Sequence, residues 1–88
     1  MAEEAKELSR RHQMWILETL KAAPEMTLTY EELVQVGETH HCDTLGALLK
    51  ILKNRKVITY KEQFLMYPMH KAEKMTLIKP DYNPMIDG

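Results

Sequence analysis

A leucine repeat near the middle of the chain limits its possible folds more than any other feature. Its members are spaced i, i+3, i+4 and i+7: Leu45, Leu48, Leu49 and Leu52. This spacing places all four side chains on one face of a helix, which predicts that the helix lies against a hydrophobic core. Lys50 and Lys53 fall outside the apolar face, so the same helix is expected to present a basic face.

The length and composition are those of one small globular domain. The chain has 88 residues, of which 44% are hydrophobic and 28% charged, whereas a disordered chain would be poorer in apolar residues. A single cysteine excludes an internal disulfide framework and suits a reducing compartment. The N-terminal residues are charged where a signal peptide is apolar, and no apolar run approaches the roughly 20 residues that span a bilayer. We therefore expect a soluble intracellular protein with no membrane contact.

The first third of the chain predicts a helix and a short strand. Residues 3–22 contain neither Gly nor Pro, and Pro24 stops the helix that they predict. Their apolar positions recur at helical spacing, at Leu8, Trp15, Ile16 and Leu20. Trp15 is accordingly expected in the core. Residues 26–28 are long enough only for a brief strand.

A second helix is predicted by its capping residues. Thr29 and Glu32 fit a capping box, in which each side chain accepts a hydrogen bond from a backbone amide of the other. Gly37 is expected to end this helix as its C-cap. A polar turn follows, and Asp43 or Thr44 is the expected N-cap of the leucine-repeat helix.

The second half of the chain predicts two strands joined by a loop, the wing. Residues 57–60 are β-branched and aromatic, residues 64–67 form a short strand or turn, and residues 75–78 form the last strand. Met66 and Met69 in the wing are expected to be exposed.

The resulting order is helix, short strand, helix, helix, strand, wing, strand. It predicts an α+β domain of the winged helix-turn-helix type, with three helices and a small antiparallel sheet. We expect the domain to span residues 1–80. The tail, residues 81–88, has little to pack and is expected to be mobile.

Charge is distributed unevenly along the chain. Residues 1–43 hold four basic and nine acidic side chains, and residues 44–88 hold eight basic and four acidic ones. No acidic residue lies between Asp43 and Glu62, where five basic residues occur. Such asymmetry favours an acidic partner, although the overall net charge of −1 is far from that of a dedicated nucleic-acid binder.

Metal binding and catalysis find little support. The run His40, His41, Cys42 and Asp43 offers possible ligands, but adjacent side chains in a turn diverge, and only distant His12 and His70 could join them. Zinc needs three or four converging donors. Cys42 beside His41 lacks an orienting group and an oxyanion site, and three glycines provide no phosphate-binding loop. The sequence therefore predicts no enzyme, no metal site and no cofactor.

The third helix is poorly suited to base-specific DNA recognition. A winged helix that reads DNA contacts base edges from the N-terminal half of this helix. That half reads Thr44, Leu45, Gly46 and Ala47, which offer almost nothing to a base edge. The cations collect instead at the C-terminal end, where they complement the helix dipole and can also contact phosphates without reading sequence.

The third helix, the following strand and the wing carry a longer pattern. Its residues are Leu45, Leu49, Lys50, Lys53, Arg55, Lys56, Thr59, Tyr60, Leu65, His70 and Leu77. This run, which covers residues 45–78 without a gap, resembles the Costars domain of the small Costars proteins and of the C-terminus of actin-binding Rho-activating protein. The family pattern is a leucine-rich helix ending L-K-x-x-K-x-R-K, an apolar strand ending T-Y, and a wing with a leucine run and H-D.

The chain departs from this pattern in the wing. Glu62 and Gln63 stand where the family usually has Gly-Glu, and Pro68 replaces a glycine. The acidic pair after the histidine becomes Lys71 and Ala72. The resemblance is thus to a divergent member, with a wing that turns differently and is more basic.

The resemblance implies a module associated with actin and with Rho-type or actin-dependent signalling, in the cytoplasm and at the cytoskeleton. We expect a monomer that contacts actin or an actin-associated protein. The expected contact residues are Lys50, Lys53, Arg55, Lys56, Tyr60 and His70. The alternative is a nucleic-acid-binding protein that uses the same basic residues on phosphates, for which a nuclear location is the corresponding expectation.

Overall fold

The computed structural model describes residues 2–86, with side chains described from residue 7 onward. The helices are α1 (Ala2–Ala22), α2 (Tyr30–Thr39) and α3 (Leu45–Asn54). The strands are β1 (Thr27–Thr29), β2 (Ile58–Thr59) and β3 (Lys74–Leu77), and a 3₁₀ turn, Pro24–Met26, joins α1 to β1. This order confirms the predicted α+β domain of winged helix-turn-helix type. None of the described helices combines the length and the apolar character needed to cross a membrane.

The sheet is antiparallel, with β3 between β1 and β2. Leu28 lies opposite Met75 in the β1–β3 pair, and Ile58 lies opposite Leu77 in the β2–β3 pair. Met75, Leu77 and Ile58 are buried, so one face of this small sheet closes the core. The predicted strands at residues 57–60 and 75–78 are therefore present, but β2 is shorter and β3 begins one residue earlier.

The leucine repeat builds the core as its spacing predicts. All four leucines are buried, and they join Ile16 and Leu20 of α1 in one cluster with the sheet. Full burial of such a side chain contributes about 1.5–3 kcal/mol relative to exposure. Leu8, which shares the helical spacing of α1, is 56% exposed because it lies a full turn or more before the buried part of that helix.

The capping box of α2 is confirmed, whereas its predicted end is wrong. The Glu32 amide donates to Thr29 Oγ1 at 3.2 Å, and the Thr29 amide donates to Glu32 Oε1 at 3.5 Å. The helix continues past Gly37 to Thr39. Gly37 is buried because the Trp15 ring packs against it, where a Cβ would lie 3.4 Å from Trp15 Cη2. Trp15 is itself buried, as expected.

Thr44 occupies the predicted N-cap position of α3, but its side chain makes no capping hydrogen bond.

The tail also differs from expectation, since Tyr82 is in the core cluster and Pro84 is fully buried. The Tyr82 hydroxyl accepts a hydrogen bond from Arg55 Nη1 at 2.7 Å. The aromatic and proline rings thus give the tail something to pack. Residues 87–88 of the predicted tail lie outside the described residues.

Candidate functional site

The wing, residues 61–73, joins β2 to β3 and carries an unusual number of exposed apolar side chains. It contains no strand, so residues 64–67 form turn and irregular structure. Four large apolar side chains are more than half exposed: Phe64 (68%), Met66 (58%), Tyr67 (53%) and Met69 (73%). The predicted exposure of Met66 and Met69 is confirmed. Four such neighbours in one short loop are typical of an interaction surface.

Backbone hydrogen bonds attach the wing to the start of α2. The Tyr30 amide donates to the Glu73 carbonyl at 2.8 Å, and the Glu31 amide donates to the Lys71 carbonyl at 3.0 Å. The first amides of a helix have no partner within the helix, so these carbonyls satisfy donors that would otherwise need water or a side chain. The Tyr30 and Tyr67 rings meet edge to face, with centroids 6.4 Å apart.

The Glu73 carboxylate closes the wing at its base. Its Oε2 accepts from the backbone amides of Lys61 at 2.6 Å and Glu62 at 3.2 Å. Because the acceptor is charged, these hydrogen bonds are stronger than those between neutral groups. The two ends of the wing are thereby held together, and the loop enters and leaves the sheet at a fixed separation.

His70 lies within the same hydrogen-bond network. Its Nδ1 accepts from the Met66 amide at 3.0 Å, and its Nε2 lies 3.6 Å from Glu62 Oε2. Since Nδ1 is the acceptor, the neutral ring carries its proton on Nε2, toward the Glu62 carboxylate. The structure places this predicted contact residue where it determines the path of the wing, with its side chain 20% exposed.

Lys50 and Lys53 of α3 extend over aromatic rings beside the wing. Lys50 Nζ lies 4.0 Å from the centroid of Phe64, and Lys53 Nζ lies 4.3 Å from that of Tyr60. Lys53 also donates to the Glu62 carbonyl at 2.8 Å. Neither ammonium group forms an ion pair with a carboxylate of the described chain. Each cation is therefore oriented by a ring while its charge stays available to a partner.

Tyr60 is the buried ring beneath Lys53. Burial raises the pKa of the Tyr60 hydroxyl, and Tyr30 and Glu73 raise it further to a smaller extent. Burial likewise raises the pKa of Tyr30. Both hydroxyls are consequently neutral at physiological pH, so Tyr60 supports the surface as an uncharged ring.

Arg55 and Lys56 lie beyond the end of α3 and have different neighbours. Arg55 is the C-cap residue and its guanidinium donates to Tyr82, in a shallow cavity shared with Lys79 and Asp81. Lys56 is exposed and has a left-handed backbone, with φ 61°. The structure thus brings four of the six predicted contact residues together around the wing, whereas Arg55 and Lys56 are joined to this group through backbone hydrogen bonds to the Lys53 carbonyl.

Sequence reasoning overlooked the aromatic residues of the wing, Phe64 and Tyr67. A usable signal was present, since residues 64–67 form an uninterrupted apolar run in a segment that joins two strands. Such a run, when exposed, is an error in a designed protein unless it has a function. The sequence predicts a short strand or turn for this run and exposure for Met66 and Met69, but it assigns no contact role to Phe64 or Tyr67.

Two of the histidines, His12 and His40, contact the tryptophan. Trp15 Nε1 donates to His12 Nδ1 at 3.0 Å, and the His40 ring stacks on Trp15 with centroids 4.6 Å apart. Among the side chains described, those of residues 7–86, no three from His, Cys, Asp or Glu converge on a metal-sized site. His12 and His40 therefore pack around Trp15 as part of the fold, and the wing remains the best candidate for a functional site.

Comparisons with known proteins give no family assignment. No family model, curated protein or solved structure matches the chain. The likeness to the Costars domain thus depends on the residues quoted above, and function has to be inferred from the geometry of the α3 and wing region.

Proposed function

We propose that this chain is a non-enzymatic protein-interaction module that binds actin or an actin-associated protein in the cytoplasm. Its contact is the α3–wing surface, which we define as Lys50, Lys53, Phe64, Met66 and Met69. The observation that carries the proposal is the exposed apolar wing beside two lysines that pair with no described carboxylate. A role in Rho-type or actin-dependent signalling belongs to the same proposal.

The apolar part of the surface supports a protein partner. Aromatic and methionine side chains are enriched at protein interfaces, and methionine adapts its shape to the surface that it meets. The wing backbone is tied to α2 through the Glu73 and Lys71 carbonyls. A loop held in this way loses less conformational entropy on binding than a free loop would.

The basic part of the surface supports an acidic partner. Lys50 and Lys53 provide two positive charges that no described carboxylate neutralises. Complementary charge raises the association rate and suppresses wrong partners. The resemblance to the Costars domain names actin as the partner, and actin has an acidic surface.

A nucleic-acid partner is less well supported. The N-terminal half of α3 exposes Thr44 and Ala47, neither of which pairs well with a base edge, while Leu45 is buried. The whole chain carries a net charge of −1, which opposes binding to a polyanion. If the partner is a nucleic acid, Lys50 and Lys53 would contact its phosphates.

Co-sedimentation with actin filaments, beside a duplex-DNA titration at several salt concentrations, tests the proposal. The informative variant is Lys50→Glu/Lys53→Glu, and its matched control is Lys21→Glu/Lys79→Glu. The control makes the same change in net charge at two exposed residues outside α3 and the wing. An Arg55→Glu/Lys56→Glu variant asks whether the contact extends past the end of α3.

We expect the unmodified protein and the Lys21/Lys79 control to sediment with filaments and the Lys50/Lys53 variant to remain in the supernatant. Charge reversal at Arg55 and Lys56 is expected to weaken binding less than reversal at Lys50 and Lys53. The reason is that the Arg55 side chain bonds to Tyr82 in the tail and not to the wing. No sedimentation of the unmodified protein, together with DNA binding that falls steeply with salt, would establish the nucleic-acid alternative instead.

A further inference from the structure

A cleft of about 230 Å³ opens between the first turns of α3 and the wing. Its lining residues are Gly46, Ala47, Lys50, Tyr60, Gln63, Phe64 and Leu65. On the helix side the small residues Gly46 and Ala47 leave space beside Lys50, and the wing side is formed by the larger residues Gln63, Phe64 and Leu65. A Cβ on Gly46 would lie 3.7 Å from the Tyr30 hydroxyl and 3.9 Å from the Leu65 carbonyl, so the wing approaches α3 closely there.

Charge borders this apolar cleft at one side. Lys50 lines the cleft itself, and its ammonium group lies on the exposed Phe64 ring. Lys53, one helical turn further, is held over Tyr60, which also lines the cleft. Of the two wing carboxylates, that of Glu62 lies 3.6 Å from His70 Nε2 and that of Glu73 accepts from the Lys61 and Glu62 amides. The cleft therefore combines an apolar interior with a cationic border.

We propose that this cleft binds an acidic segment of the partner protein in which one aromatic or large aliphatic side chain is flanked by carboxylates. The apolar side chain enters between Ala47 and Leu65, and the flanking carboxylates pair with Lys50 and Lys53. This assignment depends on the proposed function, because it names the partner chemistry of the same α3–wing surface. Charge complementarity selects the occupant, since a basic or neutral segment would leave both ammonium groups unpaired.

A single-stranded nucleic acid is the competing occupant, because a base can stack on Phe64 while Lys50 contacts a phosphate. The peptide is favoured because Ala47, Phe64 and Leu65 make the cleft lining mainly apolar, and because the same wing exposes Met66 and Met69.

Fluorescence anisotropy with a labelled peptide tests the inference directly. The probe has one central Phe with two Glu residues on each side, and its two controls replace every Glu by Gln or the Phe by Ser. The protein variant is Ala47→Phe, which fills the cleft from an exposed helix position. The matched control is Ala22→Phe, which adds the same ring at the exposed end of α1.

We expect the Glu–Phe peptide to bind at least about tenfold more tightly than either control peptide, and Ala47→Phe to abolish that advantage while Ala22→Phe preserves it. Lys50→Gln should weaken binding of the Glu–Phe peptide and leave the Gln–Phe peptide unaffected. If Ala47→Phe does not fold, Phe64→Ala, which removes an exposed wall, replaces it. Equal affinity for all three peptides overturns the inference. So does an oligothymidylate whose binding exceeds that of the peptide and is lost in Ala47→Phe.

The outcome is separable from that of the actin experiment. Peptide binding in the cleft without co-sedimentation would retain the acidic-segment inference and remove actin as the partner. Co-sedimentation that requires Lys50 and Lys53 but is unaffected by Ala47→Phe would retain the actin contact and remove the cleft from it.

Discussion

Gly37 packs beneath the Trp15 ring from a position inside α2, and its φ is not positive. A methyl group there would meet Trp15 Cη2 at 3.4 Å and Cys42 Cβ at 3.8 Å, both ordinary van der Waals contacts. Glycine in a helix interior costs roughly 0.5–1 kcal/mol relative to alanine. Gly37→Ala should therefore raise the free energy of unfolding by about that amount in urea denaturation, whereas Gly37→Leu should lower it because the larger side chain has no space.

A marked destabilisation by Gly37→Ala would contradict this account. It is the result expected of a C-cap glycine with a left-handed backbone, which is the role that sequence reasoning assigned.

Tyr60 and Tyr30 make the fold sensitive to alkaline conditions. The pKa of each hydroxyl is raised by burial, so on raising the pH the unfolded chain loses these protons before the folded chain does. Their contribution to stability is complete below the ordinary tyrosine pKa of about 10 and is lost as the pH rises through the raised values. Thermal unfolding should show a midpoint that falls above about pH 10, with a smaller fall in Tyr60→Phe. An unchanged pH dependence in Tyr60→Phe would show that this hydroxyl does not titrate abnormally.

The wing is the element whose conformation depends most on individual polar side chains. His70→Ala removes the acceptor of the Met66 amide, so that amide should exchange with solvent about fivefold faster, since a hydrogen bond of this kind contributes about 1 kcal/mol. Hydrogen exchange followed by NMR measures this change residue by residue. The control is Lys71→Ala at the exposed next residue, which should leave Met66 unaffected. Equal exchange at Met66 in all three proteins would mean that His70 does not position the wing.

At the level of elements, the sequence predicts those features of a helix that depend on residues close together in the chain. The leucine spacing predicted the buried face of α3, and Thr29 with Glu32 predicted the start of α2, because each signal depends on residues within one or two turns. The path of the wing depends on distant partners instead. The Glu73 carbonyl caps Tyr30, and Lys50 meets Phe64 across the loop. The spacing of residues within one helix or strand cannot predict contacts of this kind between separate elements.

Over the whole molecule, contacts between residues distant in sequence divide the predicted basic cluster into two regions. One lies beside the wing and the other beside the tail. Lys53 and Arg55 are near neighbours in sequence, yet Lys53 faces Tyr60 and Arg55 faces Tyr82, which is 27 residues away along the chain. The buried position of Tyr82 and Pro84 also follows from this long-range packing. The order of elements was predictable from sequence, whereas the division of the charges required the tertiary structure.

The central claim is that the wing and the basic face of α3 form the partner-binding surface. Hydroxyl-radical footprinting read by mass spectrometry, with and without actin filaments, tests it on methionines already present in the chain. Met66 and Met69 are exposed in the wing, and Met85, 49% exposed in the tail, is an internal control. We predict that filaments protect Met66 and Met69 from oxidation and leave Met85 unchanged. Protection of Met85 alone, or of none of the three, would contradict the claim.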